Sequence, residues 1–341
     1  MCKYSFLIIL FIFPVFSFAN LQGSGTQSDP YRIYTKTDWD FLSDITNALG
    51  GSQWSRGKHF KLMNDIDDLL NKRIGHQSQH FEGHFNGNNK SIIVDVPNVF
   101  SHIGIDGVLE NLNVNNDLTS QNLNAGIVGV NLGIVQYCIN FSSISSPSMP
   151  VSGIVAFNFR RNGSIPLAGV YNCINYGNLT SNNASVSGIV SDNRSIVSGN
   201  INVGNLEVTS TGSAAGIILF NALAAPFEAT LIEDTLLVKN NINIGSVIAP
   251  NAASGIVNFS STNSTETVLF LNNINYGFIR GNNLAAGICS NPSSHSRQKF
   301  LGNFNSGVIM SNGIRGCIAT RTGPNMIFIN NHYDKQMCGD D

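Results

Sequence analysis

The stretch that decides the fold is residues 173–189, CINYGNLTSNNASVSGI. It contains two phrases, Asn175-Tyr176-Gly177-Asn178-Leu179, of the form Asn-x-Gly-x-apolar, and Ser187-Gly188-Ile189, a small residue followed by glycine and an apolar residue. Both phrases recur along the chain between Ala125 and Cys317. A repeat of about 30 residues, rich in glycine and asparagine, is typical of solenoid coils that bury their apolar faces against one another.

The small-glycine-apolar phrase occurs in seven copies, of which the last, Arg315-Gly316-Cys317, is degenerate. Their central glycines are Gly126, Gly153, Gly188, Gly216, Gly255, Gly287 and Gly316. We expect each glycine to turn a tight corner to which the next coil comes close, with the following apolar residue pointing inward.

The Asn-x-Gly phrase lies between successive copies of the first one. Its opening asparagines are Asn140, Asn175, Asn202, Asn243, Asn275 and Asn305, and the Asn140 copy has lost its glycine. In stacked coils these asparagines would lie about 4.8 Å apart. We therefore expect a ladder in which each side-chain amide donates to the next.

Composition excludes several classes of protein. The net charge is −2 and only 12% of residues are charged, whereas asparagine occupies 46 of the 341 positions. The chain is therefore too apolar for a disordered protein. The basic residues form no dense run, so a nucleic-acid partner is not expected.

Residues 1–19 have the features of a secretory signal peptide. Lys3 supplies the positive start, Tyr4 to Phe18 is an apolar run, and Ser17-Phe18-Ala19 offers small residues for cleavage. An uncleaved anchor helix is the alternative, because the apolar run is only slightly shorter than a membrane span. The sequence after it contains no second apolar stretch of about 18 residues. We expect an exported mature chain without a transmembrane span.

The segment before the repeats predicts a cap and the first coils. A strand at Tyr31–Tyr34 precedes a helix over Thr35–Leu49, with Thr37 as N-cap and Asp40 as its partner. One stripe of this helix carries Trp39, Leu42, Ile45 and Leu49. Such a helix would cover the open apolar end of the first coil.

Three further stretches read as strands. Phe60–Ile66 is expected to be the first solenoid strand, and Val108–Val114 a later one. Phe81–Ile93 is expected to form two strands around an Asn-Gly turn.

Together these patterns predict an all-β fold, a single-stranded, right-handed parallel β-helix of about eight to ten coils with a short N-terminal capping helix. The expected segments are a signal peptide (1–19), an entry strand and capping helix (20–59), the first coils (60–117), the repeat solenoid (118–324) and a C-terminal cap or tail (325–341).

Five cysteines remain after removal of the signal peptide. Cys138 and Cys173 each lie two residues before a repeat asparagine, at a position that is asparagine in later copies. Neighbouring coils could bring these two sulfurs within disulfide range, and two stacked buried thiols are the alternative. An odd cysteine count leaves at least one thiol free or linked to another molecule.

Residues that could carry chemistry are sparse in the repeats. Between Leu118 and Pro324 only six carboxylates occur, and Glu233-Asp234 is their one close pair. Adjacent strand residues point to opposite faces, so this pair does not predict the clustered carboxylates of a glycan-cleaving enzyme. In the first coils, His80, Glu82 and His84 would share one face of a strand and could hold zinc, although the solvent face of a strand is the simpler interpretation. We expect no cofactor and no metal.

The chain resembles the GLUG-motif repeat family. The leader carries the resemblance in Gly23-Ser24-Gly25-Thr26, Asp29-Pro30-Tyr31, the helix around Trp39, Leu62–Ile66 and Phe81–Gly87 followed by Ile92. The repeats carry it in stretches such as Ala125–Asn131 with Gly133-Ile134 and Cys138–Asn140, and they depart from it near Ala222–Val238 and Arg315–Cys317. The resemblance covers nearly all of the mature chain. It implies an exported or surface β-solenoid of the kind that accompanies adhesin-like and IgA-peptidase-like passenger regions.

These observations favour a secreted or cell-surface protein that binds a host or neighbouring-cell glycan or protein without catalysis. The alternative is a glycan-active β-helix enzyme, or the passenger region of a surface protease. Eight Asn-x-Ser/Thr sequons could carry glycans in a eukaryotic cell: Asn89, Asn140, Asn162, Asn178, Asn183, Asn193, Asn258 and Asn263. Of these, Asn140 and Asn178 lie at or beside the expected ladder.

Overall fold

The computed structural model describes residues 21–115, 118–119, 124–159, 168–222, 235–261 and 267–339. These residues form a parallel β-helix, which confirms the predicted fold class. Each repeat coil contributes two strands to a broad sheet, called sheet 1, and then one strand each to sheets 2, 3 and 4. The predicted signal peptide lies outside the described residues.

Within the described ranges, sheet 1 contains 19 strands. Their bounds are Tyr31–Ile33, His59–Leu62, Ile66–Leu70, His84–Val94, Val108–Asn115, Ile134–Gln136, Ile139–Asn140, Gly169–Tyr171, Ile174–Asn175, Ile196–Ser198, Ile201–Asn202, Thr235–Lys239, Ile242–Asn243, Thr267–Leu271, Ile274–Asn275, Arg297–Leu301, Phe304–Asn305, Met326–Ile329 and His332–Tyr333.

Sheets 2, 3 and 4 contain seven strands each in the part of the chain that the structure describes. Sheet 2 is Leu118–Thr119, Ile144–Ser146, Leu179–Ser181, Leu206–Val208, Val247–Ala249, Ile279–Gly281 and Ile309–Met310. Sheet 3 is Asn124–Ala125, Val151–Ser152, Val186–Ser187, Ala214–Ala215, Ala252–Ser254, Leu284–Ala286 and Ile314–Gly316. Sheet 4 is Phe100–Ile103, Val128–Asn131, Val155–Phe159, Val190–Arg194, Ile218–Ala222, Val257–Ser261 and Cys289–Pro292.

The coils stack in register because equivalent residues pair from one coil to the next. The asparagines of the Asn-x-Gly phrase pair directly, as in Asn175 with Asn202, and so do the outward isoleucines before them, as in Ile174 with Ile201. The isoleucine of each small-glycine-isoleucine phrase is fully buried in the described coils, at Ile127, Ile154, Ile189, Ile217, Ile256 and Ile288. These isoleucines form a continuous column in the core.

The array begins earlier than expected. Tyr31–Ile33 pairs in parallel with His59–Leu62. The strand that contains Phe60 is therefore the second strand of the solenoid, and not the first as expected. Eleven strands therefore follow one another along sheet 1 among the described residues, from Tyr31–Ile33 to Met326–Ile329, and they are separated by ten turns of the chain, within the eight to ten coils expected.

The capping helix α1 spans Lys36–Asn47 and a second helix, α2, spans Gly51–Ser55. The N-cap of α1 is Thr35 with Asp38, and not the expected pair Thr37 and Asp40. Trp39 is fully buried, with its ring edge-on to Phe85 at 5.8 Å between centroids. The helix thus closes the core end as predicted, although Leu49 lies beyond the helix and is 99% exposed.

The Asn86-Gly87 pair does not make a hairpin. Residues His84–Val94 form one strand that runs parallel to both of its neighbours, and its register shifts between Asn86 and Lys90. Asn88 and Asn89 adopt positive φ angles of 54° and 57° at this irregularity. The predicted turn is therefore a bulge in a parallel strand.

A short helix, α3, lies at the C-terminal end, spanning Lys335–Cys338. A disulfide joins its last residue, Cys338, to Cys317 in the final coil. Among the described residues no helix combines the length and the apolar character needed to cross a membrane.

Candidate functional site

The repeat asparagines form a continuous buried ladder. The amide Nδ2 of each donates to the Oδ1 of the next, over 2.7–2.9 Å, in the order Asn140, Asn175, Asn202, Asn243, Asn275, Asn305. The same Nδ2 also donates to the carbonyl two residues ahead, as from Asn202 to Gly204 over 2.9 Å. The ladder thus ties the coils together and closes a turn within each coil.

The corner glycines lie directly against this ladder. A Cβ added at Gly188 would overlap the carbonyl oxygen of Gly216 in the next coil and lie 2.5 Å from Oδ1 of Asn202. The same two contacts recur at Gly126, Gly153, Gly216, Gly255 and Gly287. None of these glycines has a positive φ, so they are needed for close approach and not for an unusual backbone conformation.

The seventh glycine is one position out of register. Gly316 pairs with Ala286, the small residue of the preceding copy, and the carbonyl that approaches Gly287 belongs to Cys317. The structural copy is therefore Gly316-Cys317-Ile318, not Arg315-Gly316-Cys317. A side chain is accommodated at position 317, where it forms the disulfide with Cys338.

A second polar column occupies the position two residues before each ladder asparagine. It runs from Cys138 and Cys173 into Asn200, Asn241, Asn273, Asn303 and Asn331, whose amides are linked over 2.9–3.1 Å. The proposed Cys138–Cys173 disulfide is not formed, and both are buried free thiols. The backbone N–H of Cys173 donates to Oδ1 of Asn200, so cysteine takes the place of asparagine in this column.

The buried thiols are poorly suited to nucleophilic chemistry. Burial raises the pKa of Cys173 well above its ordinary value and that of Cys289 to about 12. A thiol with a raised pKa stays protonated near neutral pH and is a weak nucleophile.

Sequence reasoning missed two columns. Asn131, Asn158, Asn193 and Asn221 form a third buried amide ladder on sheet 4, with bonds of 2.7–2.9 Å. Left-handed residues mark the corner between the two sheet 1 strands of each repeat coil: Tyr137, Asn172, Gly199, Asn240, Asn272, Gly302 and Asn330. Asn111 is left-handed at the equivalent position within the strand Val108–Asn115. In the sequence, these positions are marked by an Asn or Gly that recurs one residue before the members of the second polar column.

The surface beside the first ladder carries large apolar side chains. Because successive strand residues alternate, the residue after each inward asparagine points outward. At this position Phe141, Tyr176, Ile244 and Tyr276 are 44–51% exposed, and the rings of Phe141 and Tyr176 stack at 5.3 Å. We call these four residues the apolar column.

A groove crosses four successive coils near the C-terminal end, where the strands of sheet 2 turn into sheet 3. It has a volume of about 470 Å³ and is lined by residues 207–209, 248–250, 280–282, 310–312 and Arg315. Glu207, Ile248, Arg280 and Met310 occupy equivalent outward positions in its wall.

The residues considered for metal binding are engaged in separate contacts. His80 Nε2 donates to the carbonyl of Gln77, whereas His84 lies 2.9 Å from Glu110. Glu82 is buried and accepts from the backbone N–H of Asp106 over 3.0 Å. Within the described ranges no group of three potential metal ligands comes together.

Of the six repeat carboxylates, only Asp192 and Glu207 lie in the part of the chain that the structure describes, and they are on different sheets. Asp192 pairs with Arg194 at 3.3 Å on sheet 4, and Glu207 lies in the groove on sheet 2. The Glu233-Asp234 pair lies outside the described residues.

Comparisons with known proteins bear on the fold. A solved structure titled "Crystal structure of a putative immunoglobulin A1 protease from Bacteroides ovatus" matches with a TM-score of 0.53. The match covers 92% of this chain and 86% of that one at 16% identity, so the likeness is one of fold.

A protein of Evansella cellulosilytica described as "Putative Gly-rich membrane protein" is 30% identical over 133 residues. These are 33% of this chain and 14% of that relative, so the match spans a small part of the relative's length. No family model matches the chain.

Proposed function

We propose that this chain is a secreted or cell-surface β-solenoid that acts as a non-catalytic, adhesin-like binding or structural protein. Its partner is a glycan or protein on a host or neighbouring cell. The observation that carries this proposal is the apolar column, in which Phe141, Tyr176, Ile244 and Tyr276 are exposed at one repeated position. Contiguous exposed apolar side chains on a soluble surface are typical of interaction sites.

The construction of the coils supports this role. The buried amide ladders fix neighbouring coils against each other, as between Asn243 and Asn275 at 2.8 Å. Residues that point outward at equivalent positions are therefore presented at regular spacing on a stiff support. A preorganised surface loses little conformational entropy when a partner binds.

The repeats resemble GLUG repeats in the residues already named, and we take the chain to be a member of that family. Export follows from the signal-peptide features of residues 1–19. Both assignments agree with a surface-exposed binding protein.

The rival function is a glycan-active enzyme or the passenger region of a surface protease. It is favoured by the fold likeness to a structure whose title names an immunoglobulin A1 protease. That likeness, at 16% identity, transfers no residue roles.

A single set of measurements separates the two functions. The full chain is tested for binding to cells and to a glycan array, and the same ligands are assayed for cleavage. We expect binding without product formation. The double variant Tyr176→Ser/Tyr276→Ser should lose most of the binding, whereas Leu49→Ser, which alters a side chain that is 99% exposed and outside the column, should not. Turnover of a bound glycan or protein, or full binding by the double variant, would contradict the proposal.

A further inference from the structure

The groove across sheet 2 has a charge pattern that the apolar column lacks. Arg280 and Arg315 both line it, and Glu207 is the single carboxylate among its lining residues. In the described part of the chain neither guanidinium takes part in an ion pair or side-chain hydrogen bond. Both side chains are exposed, and the guanidinium of Arg315 also lies against Gly339. Because arginine makes bidentate contacts with planar anions, the pair favours a ligand carrying carboxylate or sulfate groups.

The rest of the lining offers hydrogen bonds on a partly apolar floor. Asn282 and Asn312 present exposed amides from equivalent turns of neighbouring coils. Thr209 Oγ1 donates to Oδ1 of Asn182 over 3.0 Å, and this hydroxyl keeps its lone pairs to accept bonds from a ligand. Ile248 and Met310 supply apolar surface between these polar groups. Such a mixture suits a ligand with many hydroxyls and apolar ring faces.

The backbone in the groove wall is already paired. Leu206–Val208 pairs with Val247–Ala249, which pairs with Ile279–Gly281, which in turn pairs with Ile309–Met310. A peptide that binds as an added strand needs a free sheet edge, and the interior of this wall offers none. Recognition in the groove therefore depends on side chains, which favours a saccharide over an extended peptide.

The dimensions agree with a short chain of sugars. The groove crosses four coils, and three coil spacings of about 4.8 Å make it roughly 14 Å long in the stacking direction.

We propose that this groove binds an acidic oligosaccharide, with Arg280 and Arg315 contacting its anionic groups and Glu207, Asn282 and Asn312 contacting its hydroxyls. The proposal rests on the binding function proposed above, and it names a second surface with its ligand class. Uronate and sulfated sugars share the chemistry that the arginines recognise.

The test measures the affinity of the full chain for three defined probes: a uronate oligosaccharide, its methyl-esterified neutral counterpart and a sulfated oligosaccharide of equal length. We expect the uronate or the sulfated probe to bind at least about tenfold more tightly than the neutral one. The affinity should fall when the ionic strength rises from about 0.05 M to about 0.5 M. Comparison of the two acidic probes identifies which anionic group the site prefers.

Variants then locate the site. Arg280→Gln and Arg315→Gln should each weaken binding of the preferred acidic probe about tenfold or more, because each removes a charge-assisted contact. Arg297→Gln is the matched control, since Arg297 is an exposed arginine on sheet 1 and does not line the groove. Unchanged thermal midpoints would show that all three variants fold.

Three outcomes would overturn the proposal: equal affinity for acidic and neutral probes, unchanged affinity in both groove variants, or equal binding of a glutamate-rich peptide of matched charge. The failure of the broader function is recognised separately. If one of these three outcomes occurs while the unaltered chain still binds cells through the apolar column, only the groove assignment is wrong. If the unaltered chain binds neither cells nor any probe, the binding function itself is wrong.

Discussion

At the scale of single residues, the two repeated phrases are one structural unit. The glycine of each small-glycine-isoleucine phrase lies against the asparagine of the following Asn-x-Gly phrase, as Gly188 lies against Asn202. The sequence predicts each residue separately, because a close approach requires glycine and a stacked coil favours an amide ladder. The sequence does not show that the glycine and the asparagine contact each other, because that contact depends on the width of the core.

Replacing Gly188 by alanine should destabilise the coil around it. The added Cβ would overlap the Gly216 carbonyl and crowd Asn202, both of which are held by neighbouring coils. We expect the free energy of unfolding to fall by about 2 kcal/mol or more. The measurement is denaturant unfolding of the variant beside Gly323→Ala, where the nearest atom to an added Cβ is the Ser294 oxygen at 3.0 Å. Equal losses at both positions would show that Gly188 is no tighter than an ordinary turn glycine.

Replacing Asn202 by alanine should interrupt the first ladder in the middle. Asn175 would lose the Oδ1 that accepts its amide, and Asn243 would lose the amide donated to its own Oδ1. Since both neighbours are buried, the unmet hydrogen bonds should cost about 1–3 kcal/mol. Asn205→Ala, which removes an exposed asparagine three residues away, is the control for the thermal midpoint. A midpoint no lower for Asn202→Ala than for the control would contradict a stabilising ladder.

At the scale of elements, a local sequence pattern does not determine the structure where the same residues fit two alternatives. Two overlapping Thr-x-x-Asp patterns, Thr35 with Asp38 and Thr37 with Asp40, lie at the start of the capping helix. The capping box is formed by Thr35 with Asp38. Asp40 of the other pattern is engaged by Lys36, 3.1 Å away. In the same way, Asn86-Gly87 fits a hairpin turn or a bulge, and only pairing with the strands on both sides selects the bulge. The choice depends on contacts that are distant in sequence.

The strand Phe100–Ile103 should make the first coils sensitive to acid. Burial, together with repulsion from the nearby His80 and His76, lowers the pKa of His102 to about 4. The unfolded chain would bind a proton at this residue near its ordinary pKa of about 6.5. Unfolding is then favoured as the pH falls from about 6.5 to about 4, and the stability is fully present above that window.

The measurement is the thermal midpoint from pH 7 to pH 4 for the unaltered chain and for His102→Gln. The variant should show a shallower decline, because it removes the group that charges only on unfolding. His332→Gln, which removes an exposed histidine at the opposite end of the array, is the control. If His102→Gln and the unaltered chain decline in parallel, His102 does not control the acid response.

At the scale of the whole molecule, the two ends of the array are closed by different means. The N-terminal end is covered by helix α1, whose Trp39 packs edge-on to Phe85 and Phe100. At the other end the first ladder finishes when Asn305 Nδ2 reaches the sulfur of Cys338, 3.6 Å away. The closure by helix α1 was predictable from the helical periodicity of its apolar residues. The closure at Cys338 was not, because cysteine spacing alone does not show which cysteines pair.

The C-terminal disulfide should hold the last coil in place and have little effect elsewhere. Cys338→Ala removes the link to Cys317 and the sulfur that ends the first ladder. The disulfide closes a loop over a sequence separation of 21 residues, for which the loss of the link is expected to cost about 3 kcal/mol. In a linear array each coil contacts only its neighbours, so this loss should remain local. Amide hydrogen exchange should therefore accelerate in Met326–Ile329 and His332–Tyr333, while Ile174–Asn175 and Ile201–Asn202 keep their protection.

Met337→Ala, which alters the partly exposed residue beside Cys338, is the control and should leave all four strands protected. Faster exchange throughout the array would mean that the coils unfold as one cooperative unit, and the closure at Cys338 would then stabilise the whole molecule.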